Sequence, residues 1–469
     1  MNRNYMKGIV LTGIIFSLGI SSCQVVNKYK APDIDEAYLY RGVNSDDTTT
    51  IANIPWRDYF TDPYLQEMIG EGLEQNFDLR IAYTRIKQAE AALGMARAAY
   101  FPSATLVGQA QHSMRSVTSD GKKDVLGVTS NQFSLGIAVQ WEADIWGKIN
   151  RQYRAKYAQF LSSYAYRNLI QTSLIANIAT TYYSLLALDE QLKITKEMVS
   201  ILEESVETMQ ALMDAGMLNG AAVQQSKSLL YSTQVSVPGL ERQIRQLENA
   251  LSVMLGRKPE AILRGTLQKQ AVSTKPAYGI PAQMLANRPD VMQAELGFRS
   301  AFEMTNVAQA SFYPSITLSS GSMIGYGAGT LTDFFKPENL LANIIGGLTQ
   351  PLFARNQLIG QLKVSKAQQE EALLSFQKTV LSAGQEVSDI LFTFESSLKK
   401  DEFRTKQVEA TSTAVYYTQE LLKAGEANYT EVLNAEQNLL QAQLGRVSDK
   451  LEQLQATVNL YRALGGGVE

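Results

Sequence analysis

Two rhythms of apolar residues divide the chain. The first repeats every three or four positions through Leu192, Val199, Leu202, Val206, Met209 and Met213, with Thr195 filling the gap. It returns through Leu240, Ile244, Leu247, Leu251 and Met254, and again through Leu440, Leu444, Val447, Leu451, Leu454, Val458 and Tyr461. A sustained period near ~3.5 holds one stripe of a helix against a neighbour, as in a coiled coil. From Lys148 to Ala215 there is neither glycine nor proline, which predicts one helix of roughly 100 Å at 1.5 Å per residue. The second rhythm has period two. Phe133, Leu135, Ile137, Val139 and Trp141 alternate with Ser134, Gly136, Ala138 and Gln140, and a weaker alternation runs from Ala104 to Gln111. Successive side chains of a strand point to opposite faces, so these stretches predict strands with one apolar and one polar face.

The alternating stretches lie in windows without charge. Charged residues are 19% of the chain, yet Ala98–Met114, Val125–Trp141, Met304–Thr332 and Asn339–Ala354 contain none. A 17-residue window would escape charge only ~3% of the time at that frequency. Four such windows fit membrane strands, one face to lipid and one to a watery lumen. Four strands cannot close on themselves, and an open edge in hydrocarbon leaves backbone groups unsatisfied. Several chains must therefore share one barrel. The polar segments Arg115–Asp124 and Asp333–Glu338 between the paired windows read as outward loops.

The windows are duplicated because the chain is. Residues 77–107 and 289–319 are two copies of one segment: Asp78 matches Asp290, Ala82 matches Ala294, and Phe101-Pro102 matches Tyr313-Pro314. In each, a helical pattern stops at proline and a strand pattern begins. The long helices also turn back at matched sites, Leu212–Leu218 and Leu421–Ala427, where Gly216 and Gly425 can take the positive φ that caps a helix. Two long antiparallel hairpins per chain follow.

The N-terminus adds an address. Arg3 and Lys7 precede an apolar run from Gly8 to Ile20, then Ser21, Ser22 and Cys23, the one cysteine of the chain. That is an export signal, too short to span a bilayer. Loss of residues 1–22 removes two basic and no acidic residues, taking the formal charge from −3 to −5. No basic block points to nucleic acid. One histidine, His112, and one cysteine leave little for a metal or haem site, and no nucleotide-binding motif is present. No cofactor and no enzymatic activity are expected.

Ile20–Cys23 resembles a bacterial lipobox, which implies acylation of Cys23; Gln24 rather than aspartate after it resembles an outer-membrane address. The rest of the chain resembles the TolC-like outer-membrane efflux factors, in their lipoprotein (OprM/NodT-like) branch of RND efflux systems. The resemblance is carried by Trp141-Glu142-Ala143-Asp144-Ile145-Trp146-Gly147-Lys148, Gln350-Pro351-Leu352-Phe353, Tyr100–Ser103, Phe312–Ser315, Asn287–Asp290 and the two Ala-Gly tips. It implies an α+β membrane protein in the outer membrane of a Gram-negative bacterium. Three copies, each giving four strands, would form a twelve-stranded β-barrel continued by an α-helical coiled-coil barrel in the periplasm.

On that reading the chain divides into a signal peptide (1–22), a lipid-anchored extension (23–60), a first repeat (61–256), an equatorial segment (257–285) and a second repeat (286–469). Strand pairs are expected at 103–141 and 315–352, with hairpin tips near 214–220 and 423–429. The resemblance further implies a passive exit duct for drugs or other small toxic molecules, fed by an inner-membrane RND-type pump through a periplasmic adaptor. Adaptor contacts fall on Ala215, Gly216, Met217, Leu218, Ala424, Gly425, Glu426 and Ala427. A periplasmic constriction falls on Glu431 and Asn434, where three acidic copies would repel one another and attract cations. Some relatives close this end with an arginine–aspartate network; Ala427 and Ala222 stand in the corresponding places. Two other readings remain at this stage: the outer conduit of a type I protein secretion system, and a structural coiled-coil surface lipoprotein.

Overall fold

The computed structural model describes residues 27–32, 54–115, 118–119, 122–123, 128–271, 288–321 and 323–468. Cys23 and the signal segment lie outside the described residues, as do 33–53 of the extension, 272–285 of the equatorial segment and part of the first loop. The chain forms two compact units. One comprises Met1–Pro32, Lys87–Leu161 and Glu295–Leu374; the other comprises Asp33–Ile86, Ser162–Ala294 and Ser375–Glu469.

The first unit holds the strands. β1 (Ser103–Arg115) runs antiparallel to β4 (Val128–Ala143), in register from Ser103↔Gln140 to Arg115↔Val128. Between them β2 (Thr118–Ser119) and β3 (Lys122–Lys123) make a short ladder of their own. In the second copy the segment 315–352, read as a strand pair, is divided further. It is cut into β5 (Ser315–Ser319), β6 (Ile324–Ala328), β7 (Leu340–Leu341) and β8 (Ile345–Thr349). β5 and β6 share one edge of β4; β8 pairs with β5 and β7 with β6.

The cut has a definite geometry. Between the pairs Gln140↔Ser319 and Ile137↔Ile324, β4 advances three residues while its partner advances five. The two surplus residues fall after Ser320, where Gly321 takes φ 64°. Ser320 itself stays in register: its N donates to Val139 O, and Val139 N donates to its Oγ, both at 2.9 Å. A period-two pattern carries no mark of such an insertion, which bends the strand and strengthens its twist.

Helices complete this unit. An Arg151–Glu303 ion pair of 2.9 Å ties the start of α4 (Lys148–Asp214) to α6 (Pro289–Ala310). Thr305 Oγ1 donates to Ser365 O at 3.0 Å, on α7 (Gln357–Lys423). The N-terminal stretch lies on α6: Asn27 and Asn306 exchange two hydrogen bonds of 3.2 Å, and Tyr29 packs edge-on against Phe302.

The second unit is helical. It contains α1 (Trp56–Tyr59), α2 (Pro63–Gln75), α5 (Gly220–Met254), α8 (Tyr429–Ala463) and long parts of α4 and α7. Asp62 caps α2 by accepting from Tyr64 N at 2.9 Å, and its other oxygen accepts from Tyr182 at 2.8 Å and Gln270 at 2.5 Å. Around that node Leu65, Ile69, Ile178, Leu185, Leu255 and Val458 form the main core.

The duplication is visible in the helix lengths. α3 (Phe77–Ala98) and α6 each have 22 residues, α4 and α7 each 67, α5 and α8 each 35. One interruption is tolerated: α5 continues through Pro238, which is exposed. None of the described helices is long and apolar enough to cross a membrane.

Candidate channel-forming site

The sheet separates chemistry by face. Residues directly opposite in register share a face, so Leu106, Ile137 and Ile324 form one row, and Trp141 and Leu318 belong to the same face. Leu106 is 72% exposed, and Ile137 and Ile324 are also exposed. The opposite face carries Ser103, Gln140 and Ser319 in one row, which ends on Ile345, and Glu142, Thr317 and Gly347 in another. One surface is suited to lipid and the other to water, with the parity read from the first strand pair.

The helix–strand junctions explain the Trp141–Lys148 motif. Asp144 accepts from Ile149 N and Asn150 N at 2.8 Å each, which caps the first turn of α4. Lys148 pairs with Glu142 at 2.6 Å. Trp141 Nε1 donates to Tyr100 O at 2.9 Å, and Trp146 Nε1 donates to Pro314 O at 2.7 Å beside the Tyr313 ring. Both indoles thus hold the Phe-Pro and Tyr-Pro strand starts, and with exposed Phe101 and Phe353 they make an aromatic rim of the kind found at membrane–water boundaries.

The two hairpin tips share one backbone solution. Gly216 (φ 74°) and Gly425 (φ 76°) end α4 and α7. Gly216 N donates to Met213 O and Met217 N to Leu212 O; Gly425 N donates to Leu422 O and Glu426 N to Leu421 O. That double bond pair satisfies the last carbonyls of each helix. Asn219 and Asn428 then cap α5 and α8. Below the turns Met209, Val223, Leu422 and Val432 form a small core that joins the two tips. Ala215, Gly216, Met217, Ala424, Gly425 and Glu426 stay exposed, while Leu218 and Ala427 are half-buried.

Glu431 and Asn434 lie one turn apart on α8, both exposed in the single chain. Glu431 sits in the first helical turn after the Asn428 cap, where a carboxylate is favoured by the helix dipole. Ala222 is fully buried. Sequence reasoning missed Glu436, one turn further along. It is 1% exposed, with Ser205 Oγ on α4 at 3.4 Å and Gln419 Nε2 on α7 at 3.2 Å. A charge on the buried stripe between Val432 and Leu439 was the available signal.

Burial raises the Glu436 carboxyl above its ordinary value, and the Gln419 and Ser205 contacts oppose that only in part. The protonated form therefore favours the folded state. Its contribution is complete below the ordinary value of 4.5, falls as pH rises through the raised value, and stays low above it. Glu436→Gln is expected to raise the thermal midpoint at pH 7 by several degrees and to flatten this descent, measured by unfolding at stepped pH.

Comparison with known proteins follows the same geometry. The family model described as outer membrane efflux protein matches residues 68–257 and 280–466. The chain belongs to the outer membrane efflux protein family. This efflux protein is 29% identical to the antibiotic efflux pump outer membrane protein ArpC of Pseudomonas putida, over 97% of this chain and 96% of that one. It is 26% identical to the probable outer membrane lipoprotein SilC of Salmonella typhimurium, over 88% of each. Its fold superposes on the open-state MtrE channel of Neisseria gonorrhoeae with TM-score 0.82 at 25% identity, covering 95% of this chain and 98% of that one.

The efflux protein is an outer-membrane channel of a tripartite efflux system, located in the outer membrane and reaching into the periplasm. Its fold class is an α+β membrane protein: a trimeric twelve-stranded β-barrel, four strands per chain, continued by an α-helical barrel. A structural coiled-coil lipoprotein without strands is thereby excluded.

Proposed function

We propose that three copies of this chain form a passive exit duct for antibiotics or other small toxic molecules, without a catalytic step of its own. The observation that carries this reading is the two-faced sheet with bare outer edges. Among the described residues β1 pairs only with β4, and β8 only with β5. In hydrocarbon both edges demand a partner, and further copies supply it. The polar rows then line a water-filled wall. ArpC, named as part of an antibiotic efflux pump, supports the substrate class over a type I protein-secretion conduit.

The partners follow from the two ends. The Ala-Gly tips, 215–218 and 424–427, exposed except for half-buried Leu218 and Ala427, are small enough for helical hairpins of a periplasmic adaptor to approach closely, and the adaptor links the duct to an RND-type inner-membrane pump. Glu431 and Asn434 would ring the narrow periplasmic mouth and favour cations. Cys23 carries the acyl anchor in outer-membrane lipid, as SilC, named a lipoprotein, also suggests.

The test is twofold. Purified protein in planar bilayers should give stable cation-preferring conductance, and a deletion strain should become sensitive to antibiotics, dyes or bile salts. Absence of conductance from trimeric protein would sink the duct. Cys23→Ser should abolish palmitate labelling and lower the outer-membrane amount; unchanged labelling would place the lipid elsewhere.

A further inference from the structure

The chain's own duplication specifies how one copy meets the next along the helices. α4 and α7 have equal length and differ by 209 positions, and so do α5 and α8. Within one chain α4 packs against α8. Gln455 Nε2 donates to Ser184 Oγ at 3.1 Å, and Ser205 meets Glu436 at 3.4 Å. These two contacts set an antiparallel register: 21 residues forward on α4 correspond to 19 backward on α8. Leu186 and Leu454 fall at one level of that seam, beside the Ser184–Gln455 contact, and each is 1% exposed.

Among the described residues, part of the matching surface on α7 lies open. Thr172, Tyr183 and Leu186 of α4 are buried, whereas their counterparts Leu381, Phe392 and Glu395 are exposed, Phe392 at 74%. On the other side of the seam Val447, Leu454 and Val458 of α8 are buried, and their counterparts Pro238, Arg245 and Asn249 of α5 are exposed. Both halves of a second seam are therefore present on the chain, and these positions stay uncovered among the described residues. The occupant that fits α7 is α5 of another copy, because α8 and α5 are the same element of the repeat.

We propose that the helical seam between copies repeats the α4–α8 seam as α7 against α5 of the next copy. In it, Glu395 pairs with Arg245 where the chain itself places Leu186 and Leu454. Thr393 and Gln246 stand in the same way for Ser184 and Gln455. Neither Glu395 nor Arg245 has an ion-pair partner among the described residues, although neighbouring charges on the same helices do, as in Lys196–Glu241 and Arg288–Glu386. The seam inside a copy is thus apolar at this level, and the seam between copies is charged. Opposite charges at a subunit boundary fix register and exclude slipped arrangements. This inference rests on the proposed assembly of several copies.

Disulfide trapping tests it, with the single native cysteine as background. Full-length protein carrying Thr393→Cys with Gln246→Cys, or Glu395→Cys with Arg245→Cys, should give covalent dimers and trimers on non-reducing gels after mild oxidation. Each single variant should give none. Glu395→Arg should weaken the detergent-extracted trimer, and adding Arg245→Glu should restore it. Trimers of normal size by light scattering that yield no covalent species with either pair would overturn the seam while leaving the assembly intact. Protein that is monomeric by the same measurement would overturn the assembly beneath it as well.

Discussion

Arg151→Ala is expected to cost the channel about 3–5 kcal/mol, the range for removing one partner of a buried ion pair. Glu303 is 1% exposed and Arg151 9%, at 2.9 Å from each other. Without the guanidinium, Glu303 is left as an uncompensated charge that water cannot reach. The damage falls at a sensitive place, because α4 follows β4 and α6 precedes β5. The thermal dissociation midpoint of the detergent-extracted trimer is the measurement. Arg151→Met with Glu303→Met should recover most of the loss, since an apolar pair of similar volume commonly matches a buried ion pair. A fall no larger than that of an exposed control such as Lys406→Ala would refute the assignment.

Gly136→Leu is expected to eliminate folded channel from the outer membrane. Gly136 lies directly opposite Gly325 in the β4–β6 ladder. A Cβ at Gly136 would come within 2.6 Å of Ile324 O and 2.9 Å of Gly325 Cα, and one at Gly325 would collide with Leu135 O. The obstacles are backbone atoms, so no side-chain rotation relieves them. Overpacking alone costs about 1–3 kcal/mol. Here the strands must also part, and each unsatisfied backbone group in hydrocarbon adds several kcal/mol more. Gly108→Ala is the control, because its new methyl would meet only Leu135 Cδ1 at 3.5 Å. Heat-modifiable trimer in outer-membrane fractions distinguishes the two variants.

Much of this architecture is written in local patterns. The β1–β4 pair follows from alternation that is clear from Phe133 to Trp141 and weaker from Ala104 to Gln111, and the hairpin turns follow from glycines set between heptad runs. The second strand pair was less legible, since Gly321, Gly325, Gly327 and Gly346 thin the alternation and the bulge beside Val139 leaves no periodic trace. The heptads starting at Leu240 likewise gave no hint that α5 passes through Pro238. Glu431 and Asn434 could be named only through resemblance, because their surroundings in a single chain are exposed helix. Arg151–Glu303 was illegible for a different reason: its members are 152 residues apart, and the matching place of Glu303 in the first copy of the repeated segment is Ala91, which carries no charge.

The surplus residues after Ser320 have a consequence for how this molecule can change over generations. Slipping the second strand would require moving the kink past Val139, whose amide and carbonyl are both engaged there. Insertions or deletions between Gly329 and Asn339 are therefore absorbed within that segment, and the alignment of the wall beneath is not disturbed. That segment has latitude to diversify, while the paired strands keep their register.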